Sequence, residues 1–344
     1  MSSLANQAEK ADMNFAGIPI IDLTEISSTD STRRRSLAEE IRNACINVGF
    51  FYVKNHGIED KIIQETLGMA KDFFSLPLDV KMEIENRKNP NFKGYHPLLS
   101  GNNDPEGAGD LQEGFEFGWE DPSPGGGEID NGIMAGANVW PSEIPEFREK
   151  VLKYYYAAVK LGKSLFPLFA QALNLPETFF DDKTLKSAAL MKLLHYPPQT
   201  GPVDDPVVGI GAHTDWECFT ILWQEPGIQA LQVLNSSKEW IDAPPIPGTL
   251  VINLGDQFAR WTNDIFKSTV HRAINRNNVH RYSIPLFFGT DYDVELEPIP
   301  GCTSDERPPR YKVITAGEYV KARLEATYAQ ATHITTQYTA PEKV

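Results

Sequence analysis

Apolar positions recur at helical spacing over residues 31–48, where Leu37, Ile41, Ala44, Cys45 and Val48 share one face, and Gly49 ends the run. Phe50, Phe51, Tyr52 and Val53 follow as a continuous apolar strand, closed by His56 and Gly57. A second helix is expected from Asp60, its candidate cap, to Phe74, with Ile63, Leu67, Ala70 and Phe74 inward and Pro77 just beyond its end. Residues 18–23 form a short β-prone run, and Pro19 makes it an edge strand. The periodicity is lost over residues 89–141, a Gly-, Asn- and Pro-rich excursion of the kind that is functional or mobile. Its acidic part, residues 106–121, reads as solvated surface, and the alternation over residues 110–117 predicts a strand inside it. Helical spacing returns over residues 142–173, where Pro167 is expected to kink or split the helix.

From residue 189 the pattern is all-β. Strands are predicted over 189–196, 218–224, 230–234, 249–254, 268–275 and 281–289, separated by Gly, Pro, Asn and Asp turns about every ten residues. That spacing suits a sandwich, jelly roll or barrel. One last helix is expected near residues 316–327. The chain therefore divides into a loose tail (1–13), a helical and mixed region (14–185), a β-core (186–297) and a C-terminal segment (298–344), packed as one unit.

Composition narrows the function. Of 344 residues, 41% are hydrophobic and 23% charged, which excludes a disordered chain, a collagen and a bundle of membrane spans. A core of this size needs no structural metal, so any metal is suspected of chemistry. The net charge of −15 repels nucleic acid and anionic lipid, leaving a small molecule as the expected partner. Arg33, Arg34 and Arg35 are followed by Glu39 and Glu40 and read as a solvated helix face. Three widely spaced cysteines suit a reducing compartment. The N-terminus shows no apolar signal core, and the longest apolar stretch, residues 154–175, is interrupted by Lys160, Lys163 and Pro167. No membrane helix is expected, and the cytoplasm is the expected location.

The chemistry centres on His213 and Asp215. Residues two apart in a strand point to one face, so an imidazole and a carboxylate lie side by side. His271, in a β-prone run far downstream, is the candidate third ligand. Two histidines and a carboxylate leave the opposite face of a metal open, which suits ferrous iron, although zinc accepts the same ligands. Ten positions later, Arg281 and Ser283 share a face by the same rule and form a candidate carboxylate receptor. Their strand is apolar, and a buried arginine calls for an anionic partner. A dicarboxylate could chelate the metal at one end and meet Arg281 at the other. Phe115 in the 110–117 strand, Trp216, Glu217 and Phe288 are candidate lining for a substrate cavity, with core packing as the competing role. His56 reads as a turn residue and His195 as packed or solvated; His96, His280 and His333 carry no signal.

His213-x-Asp215, His271 and Arg281-x-Ser283 together resemble the iron(II)/2-oxoglutarate-dependent dioxygenases, in particular the isopenicillin N synthase-like branch of plant and fungal secondary metabolism. Asn47 to Gly57, Phe73-Phe-Ser-Leu-Pro77, Val251 to Gln257 and Lys267-Ser-x-x-His-Arg272 are similar to other stretches of that branch. The resemblance implies a mainly β fold with flanking helices around a double-stranded β-helix (jelly-roll, cupin-like) core. It implies iron(II) held by His213, Asp215 and His271, and the far carboxylate of 2-oxoglutarate held by Arg281 and Ser283. Tyr196 matches a family tyrosine that contacts the co-substrate, whereas Leu194 stands where many plant members have an asparagine. It further implies dioxygen as co-substrate, ascorbate as a candidate reductant, and oxidation of a small metabolite (hydroxylation, desaturation or cyclisation) with release of succinate and carbon dioxide. The residues leave two other readings open: an iron oxidase of the same fold that does not use 2-oxoglutarate, and a non-catalytic metabolite-binding or zinc-binding member.

Overall fold

The computed structural model describes residues 4–11, 13–89, 91–101, 110–120, 137–199, 209–275 and 277–335, with side chains to residue 325. Seven α-helices are formed by these residues: α1 (Leu4–Glu9), α2 (Ser31–Asn47), α3 (Asp60–Phe74), α4 (Leu78–Glu83), α5 (Phe147–Ala172), α6 (Asp256–Trp261) and α7 (Ala316–Thr335). The strands are β1 (Ile20–Asp22), β2 (Phe50–Lys54), β3 (Gly94–His96), β4 (Glu113–Phe117), β5 (Ala189–Tyr196), β6 (Ile210–His213), β7 (Phe219–Gln224), β8 (Leu231–Leu234), β9 (Trp240–Asp242), β10 (Thr249–Leu254), β11 (His271–Ala273) and β12 (Arg281–Phe288).

They form two sheets. The large one runs β1-β2-β10-β7-β12-β5-β4-β3 and the small one β6-β11-β8-β9. All pairings are antiparallel except β1 with β2. As expected of a strand carrying Pro19 beside it, β1 lies at a sheet edge. Two antiparallel sheets with helices outside are consistent with the jelly-roll core that the sequence implies.

Local chemistry explains the element ends. Asp30 caps α2 by accepting from the backbone N–H of Thr32 and Arg33. Gly49 then takes φ +74°, and a Cβ there would lie 2.4 Å from the Lys267 carbonyl oxygen, so only glycine fits this turn into β2. The helix expected from Asp60 starts there, but its capping position is Glu59, without a side-chain bond. The long helix does not split at Pro167: α5 is continuous from Phe147 to Ala172. A helix-interior proline costs about 3 kcal/mol, and the full burial of Phe166, Leu168 and Phe169 around it outweighs that. The tail expected to be loose carries α1, whose Leu4 is buried in the main core. In the irregular excursion, β3 and β4 form; residues 90, 102–109 and 121–136, with the two ends of the acidic segment (106–109 and 121), lie outside the described residues. The predicted final helix begins at Ala316 as expected and extends to Thr335. Among the described residues, no helix is long and apolar enough to cross a membrane.

α2 and α3 pack on α5, and α5 lies against β12 of the large sheet. This layer is rich in aromatic rings: Phe166, Phe219 and Phe288 meet with centroids 5.4–5.8 Å apart. It supports the large sheet from behind, leaving the other sheet face for the site.

Candidate active site

The ligand strands converge through register. β6 pairs with β11 so that His213 stands opposite His271, with ring centroids 4.3 Å apart. Asp215 follows β6 directly. Its Oδ1 lies 3.5 Å from His213 Nε2 and 3.7 Å from His271 Nε2. One donor atom from each of the three residues falls within 4.8 Å of the others.

Each donor is oriented by a neighbour. His213 Nδ1 donates to the Gly211 carbonyl at 2.8 Å and His271 Nδ1 to the Thr269 carbonyl at 3.1 Å, which leaves both Nε2 lone pairs facing Asp215. Asp215 Oδ2 accepts from Asn253 Nδ2 at 2.7 Å and from Thr220 Oγ1. Asn253 lies on β10 and Thr220 on β7, so the carboxylate of a residue beside the small sheet is fixed by the large one. Burial opposes the charge on Asp215, but His271, His213 and the Thr220 hydroxyl hold its carboxyl well below the usual range. Burial, with His213 close by, pulls His271 down to about 4, so its imidazole is neutral. His213 is held above its ordinary range, because the Asp215 carboxylate outweighs burial, and a metal ion would take the place of that proton. Two imidazole nitrogens and an ionised carboxylate suit a borderline divalent cation with open positions.

Arg281 sits at the start of β12 opposite Tyr196 of β5, and Ser283 opposite Leu194. Arg281 is 1% exposed and is the largest of the fully buried side chains. Its guanidinium stacks 4.7 Å from the Tyr196 ring centroid, and Nη2 reaches Gln224 Oε1 at 3.4 Å. Nε and Nη1 have no hydrogen-bond partner among the described residues. Burial lowers the guanidinium from its ordinary range. Two buried nitrogens of a cation whose N–H groups lack partners are costly and fit the anionic end of a ligand.

A cavity opens beside the metal donors, lined by His213, Asp215, Trp216 and Glu217. Glu217 is pushed up to about 8 by burial. Of the candidate lining residues, Trp216 and Glu217 are therefore placed at the cavity, and Phe115 and Phe288 are not. Phe115 is wholly buried against Phe73, Phe147 and Trp140, and Phe288 against Phe166 and Phe219. Strand alternation is the reason: on β4 the cavity face carries Gly114 and Glu116, and on β12 it carries Phe287. Lys192 and His96 complete that wall, and the sequence pattern alone assigns neither a role. The period-two pattern of β4 and β5 contains this information, but only once the buried face is known. His195 is buried and bonds Glu113 and His280, away from the metal donors, in keeping with a packed histidine. His56 Nδ1 accepts from the Ile58 N–H and acts as a turn residue.

Comparison with known proteins decides the family. Residues 18–143 match the model described as non-haem dioxygenase in morphine synthesis N-terminal, and residues 187–290 match the 2OG-Fe(II) oxygenase superfamily. The chain belongs to the 2OG-Fe(II) oxygenase superfamily. The oxygenase is 36% identical over 318 residues to a 2-oxoglutarate-Fe(II) type oxidoreductase of Emericella nidulans, covering 91% of each chain. It is 35% identical to a 2-oxoglutarate-dependent dioxygenase of Penicillium crustosum, over 90% of this chain and 93% of that one. A full-length Neurospora crassa protein solved with alpha-KG and thymine superposes with a TM-score of 0.79 at 30% identity, over 90% of this chain and 96% of that one. The oxygenase is thus a 2-oxoglutarate-dependent dioxygenase whose cofactors are iron(II), 2-oxoglutarate and dioxygen.

Proposed function

We propose that His213, Asp215 and His271 hold the iron, that Arg281, Ser283 and Tyr196 hold the far carboxylate of 2-oxoglutarate, and that the prime substrate is a small organic metabolite bound between Trp216 and the β4–β5 wall. The convergence of three donor atoms within 4.8 Å carries this reading. The orphaned N–H groups of Arg281 support the co-substrate assignment, and thymine in the Neurospora relative supports a small metabolite.

Iron(II), when bound, supplies the activation of dioxygen coupled to oxidative decarboxylation of 2-oxoglutarate. The residues do the rest. Gly211 and Thr269 fix the imidazole tautomers, while Asn253 and Thr220 keep the Asp215 carboxylate from rotating. Arg281 orients the dicarboxylate by a charge-assisted contact in a site from which water is excluded. Leu194 presents an apolar side chain, 8% exposed, where many plant members have an asparagine. Its neighbour across the strands, Ser283, offers the carboxylate a hydroxyl in addition to that of Tyr196.

The test is metal and co-substrate binding together with turnover. Wild-type protein reconstituted anaerobically should bind one iron(II) per chain, then 2-oxoglutarate, and form succinate when oxygen is admitted. Asp215→Ala should lose iron and reduce succinate to background. Near-normal succinate from that variant would remove Asp215 from the metal site.

A further inference from the structure

The wall facing the metal donors carries an ion pair with no role in the chemistry described above. β4 pairs with β5 so that Glu116 stands directly opposite Lys192. Lys192 Nζ lies 3.0 Å from Glu116 Oε2, and His96 Nε2 lies 3.2 Å from the same oxygen. Both contacts fall on Oε2, so neither engages Oε1. All three side chains line the cavity that also exposes His213 and Asp215. Gly114, two positions before Glu116 on the same face, keeps the floor clear: a Cβ there would come within 3.1 Å of Leu194.

The charges of this wall select against ions. Glu116 stays ionised, because Lys192 and His96 outweigh the burial that would otherwise neutralise it. The Lys192–Glu116 pair therefore sums to zero. An anion reaching Lys192 would lie beside Glu116, with Asp110 and Asp215 on the same cavity lining. A cation reaching Glu116 would lie beside Lys192. An uncharged group presenting an acceptor next to a donor satisfies both partners at once. Apolar and aromatic surface lies beside the pair in Trp216, Phe287 and Leu190, and the lining also carries Ser100, Gln112, Thr214 and Glu217. The Lys192 ammonium is 5.8 Å from the Phe287 ring centroid, so the polar pair and the aromatic surface are contiguous.

We infer that Lys192 and Glu116 determine specificity by reading the C=O and adjacent N–H of an uncharged cyclic amide, a lactam-type ring, presented to the metal donors. This rests on the assignment of iron and 2-oxoglutarate sites made above and adds the class of the prime substrate. Lys192 donates to the ring carbonyl, Glu116 accepts from the ring N–H, and Trp216 and Phe287 cover the ring.

The test uses the full chain loaded with iron(II) and saturating 2-oxoglutarate, without oxygen, in titration calorimetry. The probes are 2-pyridone, N-methyl-2-pyridone and benzoate. 2-Pyridone should bind at least about tenfold more tightly than either of the others, the scale of one hydrogen bond to a charged group. Glu116→Ala should reduce the preference for 2-pyridone over its N-methyl form to within about twofold. Lys192→Met should weaken 2-pyridone about tenfold. Binding of 2-oxoglutarate should be unchanged in both variants, and this reports that they are folded. Should Glu116→Ala fail to fold, the wild-type probe series and Lys192→Met still decide. Equal binding of the two pyridones, tighter binding of benzoate, or no binding of 2-pyridone while 2-oxoglutarate binds would overturn the substrate class and leave the co-substrate reading standing. Failure of 2-oxoglutarate itself to bind would overturn both.

Discussion

Phe287 and Phe288 are neighbours on β12 with opposite fates, and exchanging each for alanine separates core from cavity. Phe288 is completely buried, meets the rings of Phe166 and Phe219, and lies so close to α5 that a Cβ at Gly162 would stand 3.0 Å from it. Such close contact leaves little room for the site to collapse, so Phe288→Ala should cost about 3–5 kcal/mol. An unfolding entropy of about 2.1 cal/mol/K per residue gives about 0.7 kcal/mol/K for the chain, hence a fall in Tm of roughly 4–7 °C. Phe287 is only partly buried and lines the cavity. Its truncation should cost about 1 kcal/mol and lower Tm by no more than about 2 °C. Scanning calorimetry of the two variants, each without ligand and each with iron(II) and 2-oxoglutarate, measures both. Equal losses of Tm, or a larger loss for Phe287→Ala, would mean that the register of β12 is wrong by one residue and that the cavity wall is misassigned.

Three further outcomes are expected. Arg281→Met removes a desolvated cation whose Nε and Nη1 lack partners, so the ligand-free protein should be no less stable than wild type, while the rise in Tm on adding 2-oxoglutarate disappears; thermal melts with increasing 2-oxoglutarate show this. Against its burial, Lys192 and His96 hold Glu116 down to about 2 in the folded chain against an ordinary 4.5, so its contribution is complete above about pH 4.5 and is lost as pH falls from there toward 2. The gap is worth about 3 kcal/mol, and urea midpoints of wild type and Glu116→Gln should draw together over that interval, whereas a constant difference would place the origin elsewhere. Gly255→Ala would put a Cβ 2.2 Å from the Glu217 carbonyl oxygen and 2.9 Å from that of Asp215. Overpacking of this kind costs about 1–3 kcal/mol, and its displacement of the Asp215 segment should lower iron affinity by at least about tenfold, read by competitive metal titration.

Periodicity made the long elements legible. α2, α3 and α5, and strands β5, β10 and β12, are found within a few residues of where the alternation of apolar positions put them. What escaped is short or depends on distant partners. β3 and β9 have three residues each, fewer than two periods of alternation, and exist because β4 and β8 offer them edges. α6 is a six-residue helix after Gly255, tied back through the Asp256 and Gln257 N–H groups to the Asp215 and Trp216 carbonyls, an arrangement that only the folded chain reveals.

The metal donors were legible for a different reason from the cavity wall. His213 and Asp215 are two apart, so any extended conformation brings them to one side, and His271 needs only one antiparallel pairing to join them. Their residue types already restrict what they can do. A lysine and a glutamate 76 positions apart (192 − 116) carry no such restriction. Lys192 becomes informative because β4 runs antiparallel to β5 in one register. Shifting that register by one residue would turn Glu116 into the aromatic layer, where its charge would be unpaired, and Phe115 into the cavity. The burial of Phe115 among Phe73, Phe147 and Trp140 thus fixes the polar identity of the opposite face. Substrate selection on this scaffold is therefore coupled to packing behind the sheet, and a change in the aromatic layer at Phe115 should alter what the Lys192–Glu116 pair accepts before it alters the iron site, whose Asp215 is anchored independently by Asn253 and Thr220.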